Sequence, residues 1–268
     1  MSKQGSIHRL AHRLTAAGDE ALDEIVAEEV AVALVYNGIS HAVMMATPCD
    51  LEDFALGFSL TEGIVEKASE VYDIETEPAG HGVEVRLSIA SQRMVRLQER
   101  RRSLAGRTGC GLCGVDSLEA ALRPVRVSTA ADATISRRVI AQAMAALPGQ
   151  QRINKVNGAT HAAGWATADG TLLAVREDVG RHNALDKLGG ALALLERPAG
   201  ERGFVVVTSR CSYEMVHKAA ALDAMAIAAV SAPTSLAIET AEQAGIVLAA
   251  FVRESRLTVY ANAQRIVS

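Results

Sequence analysis

The second half of the chain is written as short, wholly apolar runs separated by helical patterns, and this alternation restricts the folds open to it. Phe204 to Thr208, Ile227 to Val230 and Ile246 to Val252 read as strands without a polar face. Such strands must be covered on both sides, so their alternation with helices predicts an α/β unit whose sheet lies between helical layers. Helices are expected at 182–196, 212–224 and Thr234 to Ala244. Earlier, a helix from Ser136 to Leu147 ends at Pro148-Gly149, and strands at 159–166 and 171–176 turn at Asp169-Gly170. Leu257 to Ala261 supplies a last strand.

The first half has a different texture. Residues 25–46 predict two strands around Asn37-Gly38, a strong hairpin signal. Thr47-Pro48-Cys49-Asp50 stops the strand, and Asp50 is placed to cap a helix. In that helix Leu51, Phe54, Ala55 and Phe58 make a core-facing stripe. Strands at 71–76 and 82–89 and an arginine-rich helical stretch follow. The expected organisation is a loosely ordered leader (1–24), a smaller α+β unit (25–130) and an α/β unit (131–268). Met44, Met45 and the Met215–Met225 stretch read as core filling.

A net charge of -4 argues against wholesale coating of nucleic acid. No run of eighteen apolar residues predicts a membrane span, and residues 1–22 lack the apolar core of a signal peptide. Four cysteines in 268 residues do not make a disulfide scaffold, and a cytoplasmic protein is expected.

Arg107-Thr-Gly-Cys110-Gly-Leu-Cys113-Gly114 is the stretch richest in chemistry. Its glycines free the backbone to expose two thiols. Arg93, Arg96, Arg100, Arg101, Arg102 and Arg107 stand near it against one acid, Glu99, and nearby cations favour the thiolate that attacks sulfur. Cys113 is placed to resolve or shield a persulfide on Cys110. A solvated arginine face with half a zinc site is the alternative, but structural zinc takes four ligands and no second CxxC is present. The same glycines satisfy GxGxxG, which counts only between a strand and a helix; here a helical stretch precedes it.

Two strands of the second half end in polar turns that start helices. The first carries Asp178, Gly180, Arg181, His182 and Asn183; the second carries Ser209, Arg210, Cys211, Ser212 and Glu214, with Lys218 a turn later. Helix N-termini attract anions, and ligands of open α/β sheets bind beyond the carboxyl ends of strands. The two turns predict a phosphate or pyrophosphate site. Against this, Ser209 and Ser212 could be simple caps, with Arg210 paired to Glu214. His161 and His182 are candidates for ligand contact or acid–base work.

Taken in order, four segments resemble the FdhD/NarQ family of formate dehydrogenase accessory sulfurtransferases: Met45 to Phe58, Arg107 to Gly114, Arg176 to Lys187 and Ser209 to Val216. The resemblance implies a cytidine deaminase-like three-layer sheet with a smaller α+β subdomain, in a homodimer. It also implies a sulfur carrier that takes persulfide sulfur from a cysteine desulfurase and passes it to the bis(molybdopterin guanine dinucleotide) molybdenum cofactor of a formate dehydrogenase. Cys110 matches the persulfide cysteine and Cys113 its partner. Phe251, Val252, Arg253, Glu254, Ser255 and Arg256 match the cofactor-binding stretch, for which GDP would serve as a mimic. A non-catalytic cofactor chaperone is the alternative. Deaminase chemistry is not implied: the H-x-E motif is missing and Gly109 stands where P-C-x-x-C needs proline. The chain also departs from the family before His161, where Val156-Asn157-Gly158-Ala159 replaces a Thr-Gly-Gly run.

Overall fold

The computed structural model describes residues 5–105, 124–196, 201–254 and 256–268. Its centre is a six-stranded sheet built by β8 (His161–Thr167), β9 (Leu172–Asp178), β10 (Gly203–Val207), β11 (Ala226–Ala229), β12 (Val247–Arg253) and β13 (Arg256–Ala261), in the order β13-β12-β11-β10-β8-β9. Alternate side chains feed two cores. Val205, Val207, Ile227, Ala229, Leu248 and Ala250 pack against α5 (Arg181–Leu194), α6 (Tyr213–Ala221) and α7 (Ser235–Ala244). Phe204, Val206, Ala226, Ala228, Val247 and Ala249 face α3 (Arg137–Gln150). The sheet is thus covered on both faces, as its wholly apolar strands require. Ser136 caps α3, accepting from Arg138 N, and the helix runs two residues past Pro148 instead of stopping there. At that end a missing N–H and a ring clash cost only the last turn.

A second sheet of four strands, β4-β3-β6-β5, is built from β3 (Val30–Tyr36), β4 (Ile39–Ala46), β5 (Val71–Ala79) and β6 (Gly82–Ile89). Asn37 (φ 46°) and Gly38 (φ 81°) make the expected hairpin turn, both in the left-handed region. α1 (Leu51–Thr61) buries Leu51, Phe54, Ala55 and Phe58 against this sheet. Asp50 occupies the N-cap position but does not cap: it adopts φ 51°, and its side chain makes no cap hydrogen bond. Instead its carboxylate lies 3.8 Å from Arg176 Nε. Met45 points outward at 52 % exposure, a correction to its reading as core, whereas Met215 and Met225 are buried.

The two sheets meet where α1 packs on α5. Gly57 faces the backbone of Asp186 and Gly190, and Gly190 faces the backbone of Asp53, so a Cβ at either position would overlap a carbonyl. Residues 124–134 run along the larger sheet's helices, with Ser128 N donating to Ala244 O and Thr129 N to the Asp223 carboxylate.

Residues 6–27 carry two strands. β1 (Ser6–Thr15) and β2 (Gly18–Ala27) form a two-stranded antiparallel ribbon, paired residue for residue from Ser6↔Ala27 to Thr15↔Gly18. Polar residues on both faces hide the alternation that marks a half-buried strand, while cross-strand pairs such as Arg13–Glu20 (2.8 Å) bind the ribbon together. β7 (Ile135–Ser136) pairs with β14 (Ile266–Val267), and α2 (Ser91–Ala105) is the expected arginine-rich helix. Among the described residues, no helix is long and apolar enough to cross a membrane.

Candidate functional site

β10, β11 and β12 run parallel; β8 is antiparallel to β10, and β9 to β8. The carboxyl ends of β9, β10, β11 and β12 therefore share one edge of the sheet with the start of β8 (His161) and the start of β13 (Arg256). The polar turns after β9 and β10 and residues 251–254 and 256 fall on this edge. The turn after β10 is tied to the one after β11: Cys211 N donates to Ala232 O, and Thr234 N to Cys211 O. Phe251 N in turn donates to Ser231 O.

The end of β12 is irregular in a way that serves an edge. A bulge shifts the β12–β13 register between Ala250 and Arg253, and Phe251 (φ 51°) and Glu254 (φ 52°) adopt left-handed conformations. Left-handed bulky residues are uncommon and costly, and they cluster at functional edges. The bulge leaves Phe251 40 % exposed, with Arg253, Glu254 and Arg256 beside it in solvent, while Val252 is buried. Ser255 lies outside the described residues. Arg210 is exposed on the neighbouring turn, and Ser209 is buried with its hydroxyl donating to Arg210 O.

The turn after β9 separates into an outer and an inner set. His161, Arg181 and His182 are partly exposed, and among the described residues the buried Nε of Arg181 has no hydrogen-bond partner. His182 Nε2 lies 2.7 Å from Glu214 Oε2 and 3.5 Å from Ser212 Oγ. Glu214 thus pairs with His182 and not with Arg210, and the His182 hydrogen bond lowers its pKa. Ser212 holds the N-cap position of α6 without a side-chain cap hydrogen bond. Burial, then the nearby Arg181 charge, lowers the pKa of His161 against the opposing pull of Asp178.

The inner set is structural. Asp178 is 0 % exposed and accepts from Lys187 Nζ (2.7 Å), Thr47 N (3.0 Å), Gly180 N (2.8 Å) and Asn183 Nδ2 (3.0 Å). Asn183 Nδ2 also donates to Met45 O, and Lys187 Nζ to Thr47 O. The segments around 45–58 and 176–187 therefore interlock, with Asp178 and Asn183 at the centre of the latch. Lys218 is enclosed in the same way. Its ammonium is buried against Asp186 (2.8 Å), Glu62 (2.8 Å) and Thr61 Oγ1 (3.1 Å), 5.5 Å from the centre of the Phe58 ring.

Cys110, Cys113 and the rest of the CxxC loop lie outside the described residues. The helix that leads toward it changes one part of the sequence argument. Arg93 is neutralised from a distant segment by Glu66 (2.6 Å) and Glu70 (2.9 Å), and Arg96 also meets Glu66 (3.3 Å). Arg93's hydrogen bond draws the Glu70 carboxyl down to about 2. These two arginines cannot be counted as spare positive charge for a thiol. The other two cysteines are poor nucleophiles: burial pushes Cys211 up to about 12 and Cys49 to about 11. Cys49 lines a cleft of about 890 Å³ on the outer side of β9, with Arg152, Leu173 and Glu177.

The sequence reading missed Glu214 as the partner of His182; only the fold brings the two turns together. Arg210, Arg253 and Arg256 place exposed positive charge along this edge, with the exposed Phe251 among them.

The FdhD/NarQ family model matches residues 27–267. The chain is 61 % identical over 247 residues to a protein named "Sulfur carrier protein FdhD" from Cupriavidus necator, covering 90 % of this chain and 83 % of that one. A protein of the same name from Variovorax paradoxus is 53 % identical over 241 residues, covering 90 % and 86 %. The crystal structure of a putative formate dehydrogenase accessory protein from Desulfotalea psychrophila superposes with a TM-score of 0.74 at 24 % identity, covering 98 % of this chain and 99 % of that one, and so shares the mixed α/β fold. With the four matched segments and nearly the whole chain in agreement, the protein belongs to the FdhD/NarQ family.

Proposed function

We propose that this protein is a sulfurtransferase acting as a sulfur carrier: it accepts persulfide sulfur from a cysteine desulfurase on Cys110 and delivers it to the bis(molybdopterin guanine dinucleotide) molybdenum cofactor that a formate dehydrogenase needs. The observation that carries this reading is similarity across 90 % of the chain to a relative named as a sulfur carrier. In the loading step the Cys110 thiolate attacks the outer sulfur of the donor persulfide. The donor's S–S bond breaks and its thiolate leaves, so no external oxidant or reductant is required. Cys113 is the neighbouring thiol that shields or resolves the product. The cofactor is the substrate of delivery, and its guanine nucleotide ends would rest on the carboxyl edge, with Arg210, Arg253 and Arg256 at phosphate and Phe251 at the base. His161, Arg181 and His182 border the same edge. A cytidine deaminase-like arrangement, a homodimer and a cytoplasmic location complete the reading.

A non-catalytic cofactor chaperone is the second reading, and it is favoured by one feature: Arg210, Arg253 and Arg256 are exposed together at the carboxyl edge of the sheet. A Cys110→Ala/Cys113→Ala double variant separates the two. Sulfur transfer predicts no recovery of formate dehydrogenase activity in cells lacking the wild-type protein. Full recovery with retained GDP binding would establish the chaperone instead.

A further inference from the structure

β9 is an edge strand: it pairs with β8 on one side and, among the described residues, with no strand on the other. Open edges invite a further strand, and proteins blunt them with charge or proline. β5, an edge of the smaller sheet, is blunted in this way by Asp73, Glu75, Glu77 and Pro78. β9 opens instead with the apolar run Leu172 to Val175, and Leu173 is 42 % exposed. The cleft of about 890 Å³ follows this edge. Gln150 at the end of α3 and Leu195 at the end of α5 both line it, and these helices cover opposite faces of the sheet. The cleft therefore continues the layer of the sheet itself, where a next strand would lie. Ile153 and Val156, which flank the start and middle of α4 (Asn154–Asn157), extend its apolar lining.

We propose that the cleft takes an extended, acidic segment of a partner protein, which adds to β9 as a further strand of the sheet. The free charge of the cleft selects the acid. Arg176 is held by Asp53 (2.7 Å) and Asp50 (3.8 Å), and the Glu177 carboxylate accepts from Ile153 N, Asn154 N and Thr160 Oγ1. Arg152 is exposed at the cleft and has no hydrogen-bond or ion-pair partner among the described residues. A carboxylate on the segment meets this guanidinium, and its alternate apolar side chains meet Leu173, Val156 and Leu195. Backbone pairing along β9 fixes the extended form. The seven residues of β9 span roughly 23 Å at about 3.3 Å per residue, room for a strand of ordinary length. The new ladder competes with the chain's own side chains at the Val175 carbonyl, which accepts from Arg176 Nη1 (3.0 Å).

The inference does not rest on sulfur transfer, and either can fail alone. The test is selection of random phage-displayed peptides on the full chain, followed by fluorescence anisotropy with the recovered peptides. These should alternate apolar residues around an Asp or Glu. Their affinity should fall about tenfold or more on Leu173→Asp and on Arg152→Glu, with the fold unchanged by circular dichroism because both positions are exposed. Lys in place of the peptide's acid should restore binding to Arg152→Glu. Hydrogen exchange within residues 172–176 should slow when the peptide binds, which an apolar contact without strand pairing would not produce. Recovery of no such peptide, unchanged affinity in either variant, or unchanged exchange in β9 overturns the proposal. If Leu173→Asp instead lowers the oligomeric state in sedimentation velocity, a second copy covers the cleft and the partner segment is overturned.

Discussion

Replacing Lys187 by Met probes the latch that joins the two sheets. Lys187 and Asp178 are both fully buried, their charged atoms 2.7 Å apart. Removing the ammonium strands a carboxylate in the interior, and breaking a buried pair from one side costs about 3–5 kcal/mol. Three N–H donors, from Thr47, Gly180 and Asn183, remain on Asp178 and offset part of that cost. The lower end, about 3 kcal/mol, is therefore expected. Met fills most of the lysine volume, so a cavity adds little. The Thr47 carbonyl also loses its Lys187 donor, which loosens the segment leading into α1. Urea unfolding followed by circular dichroism should show the midpoint fall, and melting should drop by about 10 °C, at roughly 2–4 °C per kcal/mol for a chain of this size. A loss below about 1 kcal/mol would refute the reasoning, because the pair would then have to be hydrated and not a buried latch.

Further outcomes follow from the same geometry. Gly190→Ala places a methyl against the Asp53 carbonyl and should cost several kcal/mol by pushing α1 from α5; an unchanged unfolding midpoint would contradict the close approach. Arg210→Ala should weaken GDP binding about tenfold or more in calorimetry, in line with losing a charged hydrogen bond, while Lys218→Met should lower stability and leave GDP affinity within about threefold. The reverse result would return Lys218 to the phosphate site. His161, with its pKa lowered by burial and by Arg181, favours the neutral imidazole in the fold. Its stabilising contribution is thus complete above the ordinary value of 6.5 and lost as pH falls through the lower folded value. Proton-detected titration of the His161 ring should give a midpoint below 6.5, and a midpoint above it would remove the stated cause.

Much of the scaffold is legible in the sequence because it is local. The apolar runs at β10, β11 and β12 announce a sheet covered twice, and Asn37-Gly38 and Asp169-Gly170 mark two hairpins through residues that accept positive φ or cap their own turn. What cannot be read locally is set by partners far along the chain. Lys218 looks like a phosphate ligand beside Ser212 until Asp186 and Glu62 close on it, and Asp178 looks like part of an anion turn until Thr47 and Lys187 enclose it. Arg93 reads as free charge only while Glu66 and Glu70 are far away in sequence. The β12 bulge that turns Phe251 outward has no glycine to announce it. The ribbon is hidden because neither of its faces is apolar throughout.

The central claim is that Cys110 carries the sulfur, and its sulfur state after loading tests that most directly. The protein is incubated with a cysteine desulfurase and cysteine, digested without reductant and read by mass spectrometry. The account predicts one extra sulfur atom on the peptide containing Cys110, absent when the desulfurase is omitted and absent from Cys49 and Cys211. Equal sulfur loading of a Cys110→Ala variant, with formate dehydrogenase activity restored by it, would contradict the account.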